Sequence, residues 1–436
     1  MVSSVAMTAA EIQSRVHRTI DAIWHIESPR LIAGLARMLR DIGLAEELAQ
    51  DALVAALERW PASGVPDSPG AWLMATAKHR AIDLLRRKKL IERKHEEFGH
   101  EIETQTDFVA AESAAMHDDD VGDDLLRLIF TACHPILSSE ARVALTLRLL
   151  GGLTTDEIAR AFLVTEPTVA QRIVRAKRTL AEAQVPFEVP RREELAARLA
   201  SVLEVIYLIF NEGYAATAGD DWMRPALCEE ALRLGRILAE LAPKEAEVHG
   251  LVALMEIQAS RMGARVDSAG APILLLDQNR ARWDRLLIGR GLAALERADA
   301  LGGLGTYTLQ AAIAACHARA LTAAQTDWPR IAALYATLAQ IAPSPVVELN
   351  RAVAVAMALG PGAGLELVDT LTMEPSLKNY HLLPSVRGDL LSKLGRTSEA
   401  CAEFERAAAL TRNARERALL LGRAAACACA SESSAT

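Results

Sequence analysis

Between Glu96 and Asp124 the chain carries eleven acidic residues and no lysine or arginine. Like charge at that density, with so little apolar surface to bury, cannot offset the entropy of ordering a chain. The stretch therefore reads as a linker, and it divides the sequence. Immediately before it the sign is opposite. From Lys78 to Lys94 there are eight Lys and Arg against only Asp83 and Glu92, in a protein whose formal net charge is −8. A basic face that concentrated attracts phosphates through counterion release, whatever the charge of the remainder. The ordinary alternative for such a run is a solvated surface.

A second boundary falls at VPFEVP, 185–190, where two prolines stand in the way of a continuing helix. At 436 residues the chain is too long for one core. Its apolar content, 51%, is mostly Ala and Leu, and aromatics are 4%. Unbranched side chains lose little rotamer freedom in a helix, so the expected fold class is all-α. The expected parts are a helical bundle over 8–95, the acidic linker over 96–124, a second helical part over 125–184, and a long helical extension over 187–436. Met1 to Ala10 has neither the basic start nor the long apolar run of a secretion signal, and no apolar run reaches membrane-spanning length. Six cysteines are too sparse for a disulfide framework. The chain reads as cytoplasmic and reduced, with no membrane partner.

Apolar spacing indicates helix through residues 11–60, a Pro/Gly/Ser-rich loop over 61–70, and a further helix from Ala71. In WLMATAKHRAIDLLRRKK, 72–89, helical spacing turns Trp72, Leu73, Ala77, Ala81, Ile82 and Leu85 inward and Lys78, His79, Arg80, Arg86 and Arg87 outward. In TTDEIARAFLVTEPTVAQRIVRAKRTL, 154–180, Thr154 and Glu157 form a capping box opening one helix, with Ile158, Ala161 and Phe162 on its apolar face. Thr165 is placed to cap a second, with Pro167 in its first turn. Two short helices so joined, the second bearing Thr168, Gln171, Arg172, Arg175, Lys177 and Arg178 outward, have the form of a helix-turn-helix. Hydroxyls and amides near its start can reach base edges, and arginines can bind guanine or phosphate.

The extension is repetitive. GDLLSKLGRTSEACAEFERAAAL, 388–410, spaces Gly388, Leu391, Gly395, Ala400, Phe404 and Ala407 as a tetratricopeptide helix pair does. Tyr335 stands about two 34-residue periods earlier. GPGAG, 360–364, has no preceding strand and no following GK[ST], so it reads as a turn between repeat helices, not a phosphate loop. The acidic cluster around Asp118, Asp119 and Asp120 lacks the glycine and spacing of a calcium loop. The adjacent pairs Cys133-His134 and Cys316-His317 point apart on a helix, and Cys427 and Cys429 lie in an Ala-rich tail. No nucleophile–base pair, cofactor motif or metal spacing is found, so neither an enzyme nor a cofactor is expected.

IGLAEELAQDALVAALERW followed by PGAWLMATAKHRAIDLLRRKK resembles domain two of an extracytoplasmic-function-type RNA polymerase sigma factor, and 138–180 resembles its domain four. The resemblance implies RNA polymerase core and promoter DNA as partners. It implies that the helix carrying Glu47, Leu48, Gln50 and Asp51 docks on the polymerase. It further implies that Lys78, His79, Arg80, Arg86 and Arg87 serve the minus-ten element, and that Thr165, Thr168, Gln171, Arg172 and Arg175 serve the minus-thirty-five element. His79 stands where the family commonly has Asn. By the same resemblance the acidic linker threads the polymerase cleft. VIYLIFNEGYAAT, LLLDQNRARWDRLLI and YTLQAAIAACHA resemble the C-terminal extension of one subgroup of these factors, which implies a regulatory extension in contact with the sigma domains of its own chain. Two other classes stay open on the residues alone: a helical-repeat adaptor protein, and a one-component helix-turn-helix regulator acting without polymerase.

Overall fold

The structure, a computed structural model, describes residues 9–96, 118–162 and 164–435. Among them the regular elements are helical except for one pair of two-residue strands. The chain forms two compact units, Met1–Val205 and Ile206–Thr436.

In the first unit α1 (Ala9–Leu39), α2 (Ile42–Ser63) and α3 (Pro69–Glu96) form a bundle. The continuous helical run expected over 11–60 breaks at Arg40, which takes a left-handed conformation (φ 54°). Asp41 then caps α2 by accepting a bond from Leu44 N at 3.0 Å. The loop expected from Pro61 begins only at Gly64. A proline beyond the first turn loses its own N–H bond and crowds the carbonyl four residues back, yet the helix runs on to Ser63, and Gly64 N closes the last turn onto Trp60 O at 2.9 Å. The core is built from Leu31 and Leu35, Ala49, Ala52 and Trp60, and Leu73, Ala77 and Ala81, all buried. Alanines on α2 and α3 let the helix axes approach closely. Trp72, expected inward, is half-buried and meets the Trp60 ring edge-on at 5.3 Å.

The same unit continues with α4 (Asp118–Ala132), α5 (Ser139–Leu149), α6 (Thr155–Phe162) and α7 (Glu166–Glu182). The end of the acidic run is thus helix, not tether. Asp124 is buried, and its carboxylate is matched by Arg37 from α1 at 3.1 Å and Arg127 at 2.6 Å. A partner 87 positions upstream is what a local charge count cannot register. The linker residues 97–117 lie outside the described residues. VPFEVP does separate two helices, α7 and α8 (Arg192–Tyr214). The first half of α8 completes the first unit: Arg198 donates to Phe130 O at 2.8 Å and Ser201 to Cys133 O at 2.6 Å, satisfying carbonyls at the end of α4. From Ile206 onward α8 belongs to the second unit.

That unit is a succession of helices: α9 (Pro225–Leu241), α10 (Ala246–Ala259), α11 (Arg285–Ala300), α12 (Thr306–Arg319), α13 (Trp328–Ile341), α14 (Pro345–Leu359), α15 (Pro361–Leu371), α16 (Leu382–Lys393), α17 (Thr397–Leu410) and α18 (Ala414–Ala435). From α13 to α18 each packs chiefly on the next, as in a repeat array. In the α16–α17 pair a Cβ at Gly388 would come within 3.0 Å of the Phe404 ring, so the glycine lets the fully buried phenyl fill the crossing. Of GPGAG, expected as a turn, only Gly360 (φ 106°) lies between helices, ending α14 and opening α15; Pro361–Gly364 already form the first turn of α15, where a proline gives up no needed bond.

An open solenoid leaves its two ends apart, but here they meet. Strand β1 (Ala218–Gly219) pairs in parallel with β2 (Arg412–Asn413). Asn413, 1% exposed, donates to Ala216 O at 3.1 Å and Asp221 O at 2.8 Å, and its Oδ1 accepts from Arg415 N and Glu416 N. Replacing Asn413 with Ala leaves a buried carbonyl, a part-buried carbonyl and a helix start without this partner. It is expected to lower the stability of the second unit by about 2–4 kcal/mol, read as a lower denaturant midpoint for the full-length chain.

Candidate nucleic-acid interface

The helix-turn-helix forms as its sequence dictates. Glu157 accepts from Thr154 N at 2.8 Å, and Thr154 Oγ1 accepts from Glu157 N at 3.2 Å, closing the capping box of α6. Ile158 and Ala159 are the buried residues of its face, while Ala161 and Phe162 are half-buried. Thr165 is the N-cap residue of α7 and Pro167 sits in its first turn, as expected. The Thr165 hydroxyl does not cap, however: it lies 2.8 Å from the Thr168 hydroxyl, and the two exchange a bond. Val169, Ile173, Ala176 and Leu180 anchor α7 inward. This leaves Thr165, Gln171 and Arg175 exposed and Thr168 and Arg172 half-buried on the outer side. Arg178, also outward, is tied to Glu182 at 2.6 Å.

Lys177 departs from the expected pattern. Its ammonium is turned back and paired with Glu46 of α2, and its side chain is 23% exposed. Glu46 is 4% exposed. The same carboxylate accepts from Arg148 Nε of α5 at 2.6 Å and from Gln50 at 2.5 Å. Arg148 in turn donates to Leu153 O at 3.1 Å in the loop before α6. One buried acid on α2 thus collects a cation from α5 and another from α7. Two further contacts join the same parts of the unit: the Arg37–Asp124 pair, and His25 Nδ1, which donates to Gly151 O at 3.1 Å. Gly152 follows with φ 67°, and a Cβ there would meet the Ser28 hydroxyl at 3.1 Å and the His25 ring at 3.2 Å. Sequence inspection missed Glu46 because an acid beside Glu47 on a helix looks like surface. Its signal was its place in the buried register Ala45, Leu48–Ala49, Ala52.

On α3, His79, Arg86 and Arg87 are exposed and Lys78 and Arg80 half-buried. Burial, with Arg37 nearby, pushes the Lys78 ammonium below its ordinary range. Of the residues expected on the docking helix, Glu47 and Asp51 are exposed and Gln50 half-buried, whereas Leu48 lies in the bundle core. Asp51 and Arg80 form an ion pair at 3.0 Å, bringing the two expected sets together across α2 and α3. Cys133 and His134 make no joint site. The thiol is buried at 3.3 Å from the Thr146 hydroxyl, and His134 Nδ1 accepts from Ile136 N. Burial pushes the Cys133 thiol up to about 11. Among the described residues no cluster suited to a metal ion occurs, and no helix is long and apolar enough to cross a membrane.

Sequence comparison matches sigma-70 region 2 to residues 25–91 and sigma-70 region 4 to residues 127–180, and a family of unknown function to residues 198–299. An uncharacterized protein of Rhizobium meliloti (strain 1021) is 43% identical over 393 residues, 90% of this chain and 92% of that protein. The ECF RNA polymerase sigma factor SigK of Mycobacterium ulcerans is 29% identical over 173 residues, 38% of this chain and 87% of its own length. SigK of Mycobacterium tuberculosis (strain ATCC 25618 / H37Rv) is 30% identical over 156 residues, 35% of this chain and 78% of its own.

Glu46→Gln keeps the volume but removes the charge that Arg148 and Lys177 share. With those cations still partly hydrated, the expected loss is about 1–3 kcal/mol. Spin labels at the exposed positions Glu58 on α2 and Arg178 on α7 should report a single short distance in the parent protein and a broad, longer distribution in the variant.

Proposed function

The chain belongs to the extracytoplasmic-function type of the sigma-70 family, with a C-terminal extension, and on that premise we propose that it directs promoter-specific initiation by RNA polymerase. The observation that carries this reading is the outer side of α7. There Gln171 and Arg175 are free of the fold's own packing, on a helix-turn-helix lying inside the region 4 match. Amide and guanidinium groups at that spacing suit base edges in a major groove. On this reading Thr165, Thr168 and Arg172 assist at the minus-thirty-five element. Lys78, His79, Arg80, Arg86 and Arg87 on α3 meet the minus-ten element, and Glu47, Gln50 and Asp51 face the polymerase core. Leu48 supports that helix from within.

The two elements are about 25 base pairs apart by their names, about 85 Å of B-form duplex. A carboxylate of α2 in contact with a lysine of α7 does not span that distance. The reading therefore requires the Glu46 cluster to open when the factor engages a promoter. The extension, whose α16–α17 pair is tetratricopeptide-like, is assigned a regulatory role on the sigma domains of its own chain.

Core polymerase supplied with the full-length chain should transcribe a small subset of a promoter library. No transcripts, with specific duplex binding by the chain alone, would instead identify a one-component regulator; neither activity would leave a repeat adaptor. Within the reading, Gln171→Ala or Arg175→Ala should relax upstream-element preference by roughly 1–3 kcal/mol per lost contact. Arg86→Ala and Arg87→Ala should weaken binding to all sequences alike and flatten its salt dependence. Charge reversal at Glu47 and Asp51 should weaken core binding. A chain ending at Val205 keeps Arg198, Ser201 and Glu204, which bond to α4 and α5. It should transcribe less than the full chain; equal activity would make the extension an independent module.

A further inference from the structure

Buried charge in the second unit is handled differently from the Glu46 cluster. Arg261, Arg265 and Arg280 gather where α8, α10, α12 and the segment between α10 and α11 converge. Arg265 is 7% and Arg280 6% exposed. The Arg265 guanidinium lies 3.6 Å from the centre of the Tyr214 ring, that of Arg280 5.0 Å from Trp283, and that of Arg261 5.7 Å from both rings. Their hydrogen bonds go to neutral acceptors. Arg265 donates to Tyr214 O, and Arg261 to Gln258 Oε1 and, at 2.6 Å, to the Tyr214 hydroxyl. Arg280 donates to His317 O at 2.7 Å, Ala320 O at 2.8 Å and Thr326 Oγ1 at 2.9 Å. The buried acids nearby, Glu212 and Glu256, are taken by Arg224 and Arg236. Among the described residues, none of the three arginines ion-pairs with a carboxylate.

Three guanidinium groups packed together without a counter-charge are costly, since ring faces and carbonyl dipoles replace only part of their hydration. Burial, and for both the charge of Arg261, pull Arg265 and Arg280 below the ordinary range. Beside them is a cavity of about 180 Å³, lined by Arg261, Gln258, Gln310, His317 and Tyr335 among apolar side chains. His317 is 8% exposed and its Nδ1 has no partner; neither has the buried Nε of Arg261. The imidazole is neutral at pH 7, pushed down to about 4 by burial and by Arg261 and Arg280. The cavity thus offers a guanidinium, two amides, a phenol and an imidazole, and no acid. At about 30 Å³ per water its volume equals roughly six waters, which is room for a carboxylate of two to four carbons.

We propose that this cavity in the extension is a binding site for a small organic carboxylate, held by Arg261 with Gln258, Gln310, His317 and Tyr335, whose charge completes the arginine cluster. Binding is the readout, so the proposal stands or falls independently of any transcriptional role. The full-length protein is titrated calorimetrically with acetate, malonate and succinate, against sodium chloride at matched ionic strength, and its thermal unfolding is followed in each. At least one carboxylate should bind saturably at one site per chain and raise Tm with concentration. Ala314→Leu fills the cavity from its apolar wall without changing charge, and Gln310→Leu removes one donor. Each should weaken that binding tenfold or more while unfolding remains cooperative. Arg261→Gln should abolish it; should that variant not fold, Ala314→Leu still reads the site. No saturable heat from any of the three anions, or an affinity unchanged in Ala314→Leu, would overturn the assignment.

Discussion

The carboxylate of Glu46, a residue only 4% exposed, sets the arrangement of the first unit. Removing such a group from water costs several kcal/mol unless charges and donors replace the lost hydration. No single element of the unit can supply them. Gln50 comes from the same helix, but Arg148 and Lys177 come from the two helices on either side of the α6 turn. Satisfying one acid therefore fixes where α5 and α7 rest on α2. Beside the packing of α1 on α4, two more polar contacts between these parts are short-range and directional: a histidine on a glycine carbonyl, and an aspartate between two arginines. Such a junction holds only in one register. It is also less costly to open than an apolar core of the same size, because its charges regain water or can find phosphates.

The second unit relies on shape. Its helices are rich in Ala and Leu, and their crossings are closed by small residues against one large one, as Gly388 against Phe404. Sequential packing of this kind propagates from neighbour to neighbour and needs a device to finish it. Asn413 is that device: its amide reads two carbonyls near the beginning of the unit, and its oxygen starts the last helix. A peptide-like side chain is suited to the task because it carries two donors and an acceptor without charge.

Much of this was legible in the residues because it follows from local rules. The all-α class comes from Ala and Leu, the helix-turn-helix from a capping box and a proline at the right interval, and the α16–α17 pair from the spacing of Gly388, Gly395 and Phe404. What was not legible depends on partners far away in the chain. Lys177 has outward spacing, and only the position of Glu46, 131 residues earlier, turns it inward. Asp124 closes an acidic run by composition, yet Arg37 makes it part of a core. The Thr165 hydroxyl could reach either a backbone N–H or its neighbour's hydroxyl, and sequence does not rank the two. Asn413 sits in a stretch with no β-pattern; its role exists only where β1 arrives.

The two units thus differ in part of their buried charge, and the contrast bears on what each is for. In the first, the buried acids among the described residues, Glu46 and Asp124, are each matched by two cations from different helices, so these charges close on themselves and serve to hold parts of one chain together. In the second, the pairs Glu212–Arg224 and Glu256–Arg236 are also closed, but Arg261, Arg265 and Arg280 are not. Aromatic faces and carbonyls stabilise a guanidinium without neutralising it. A fold that needed only rigidity there could use leucines at lower cost, since well-packed apolar residues replace buried ions with little loss and often a gain. Retaining three arginines, one of which meets a neutral histidine and two amides around an open volume, makes sense where the missing negative charge arrives from outside the chain.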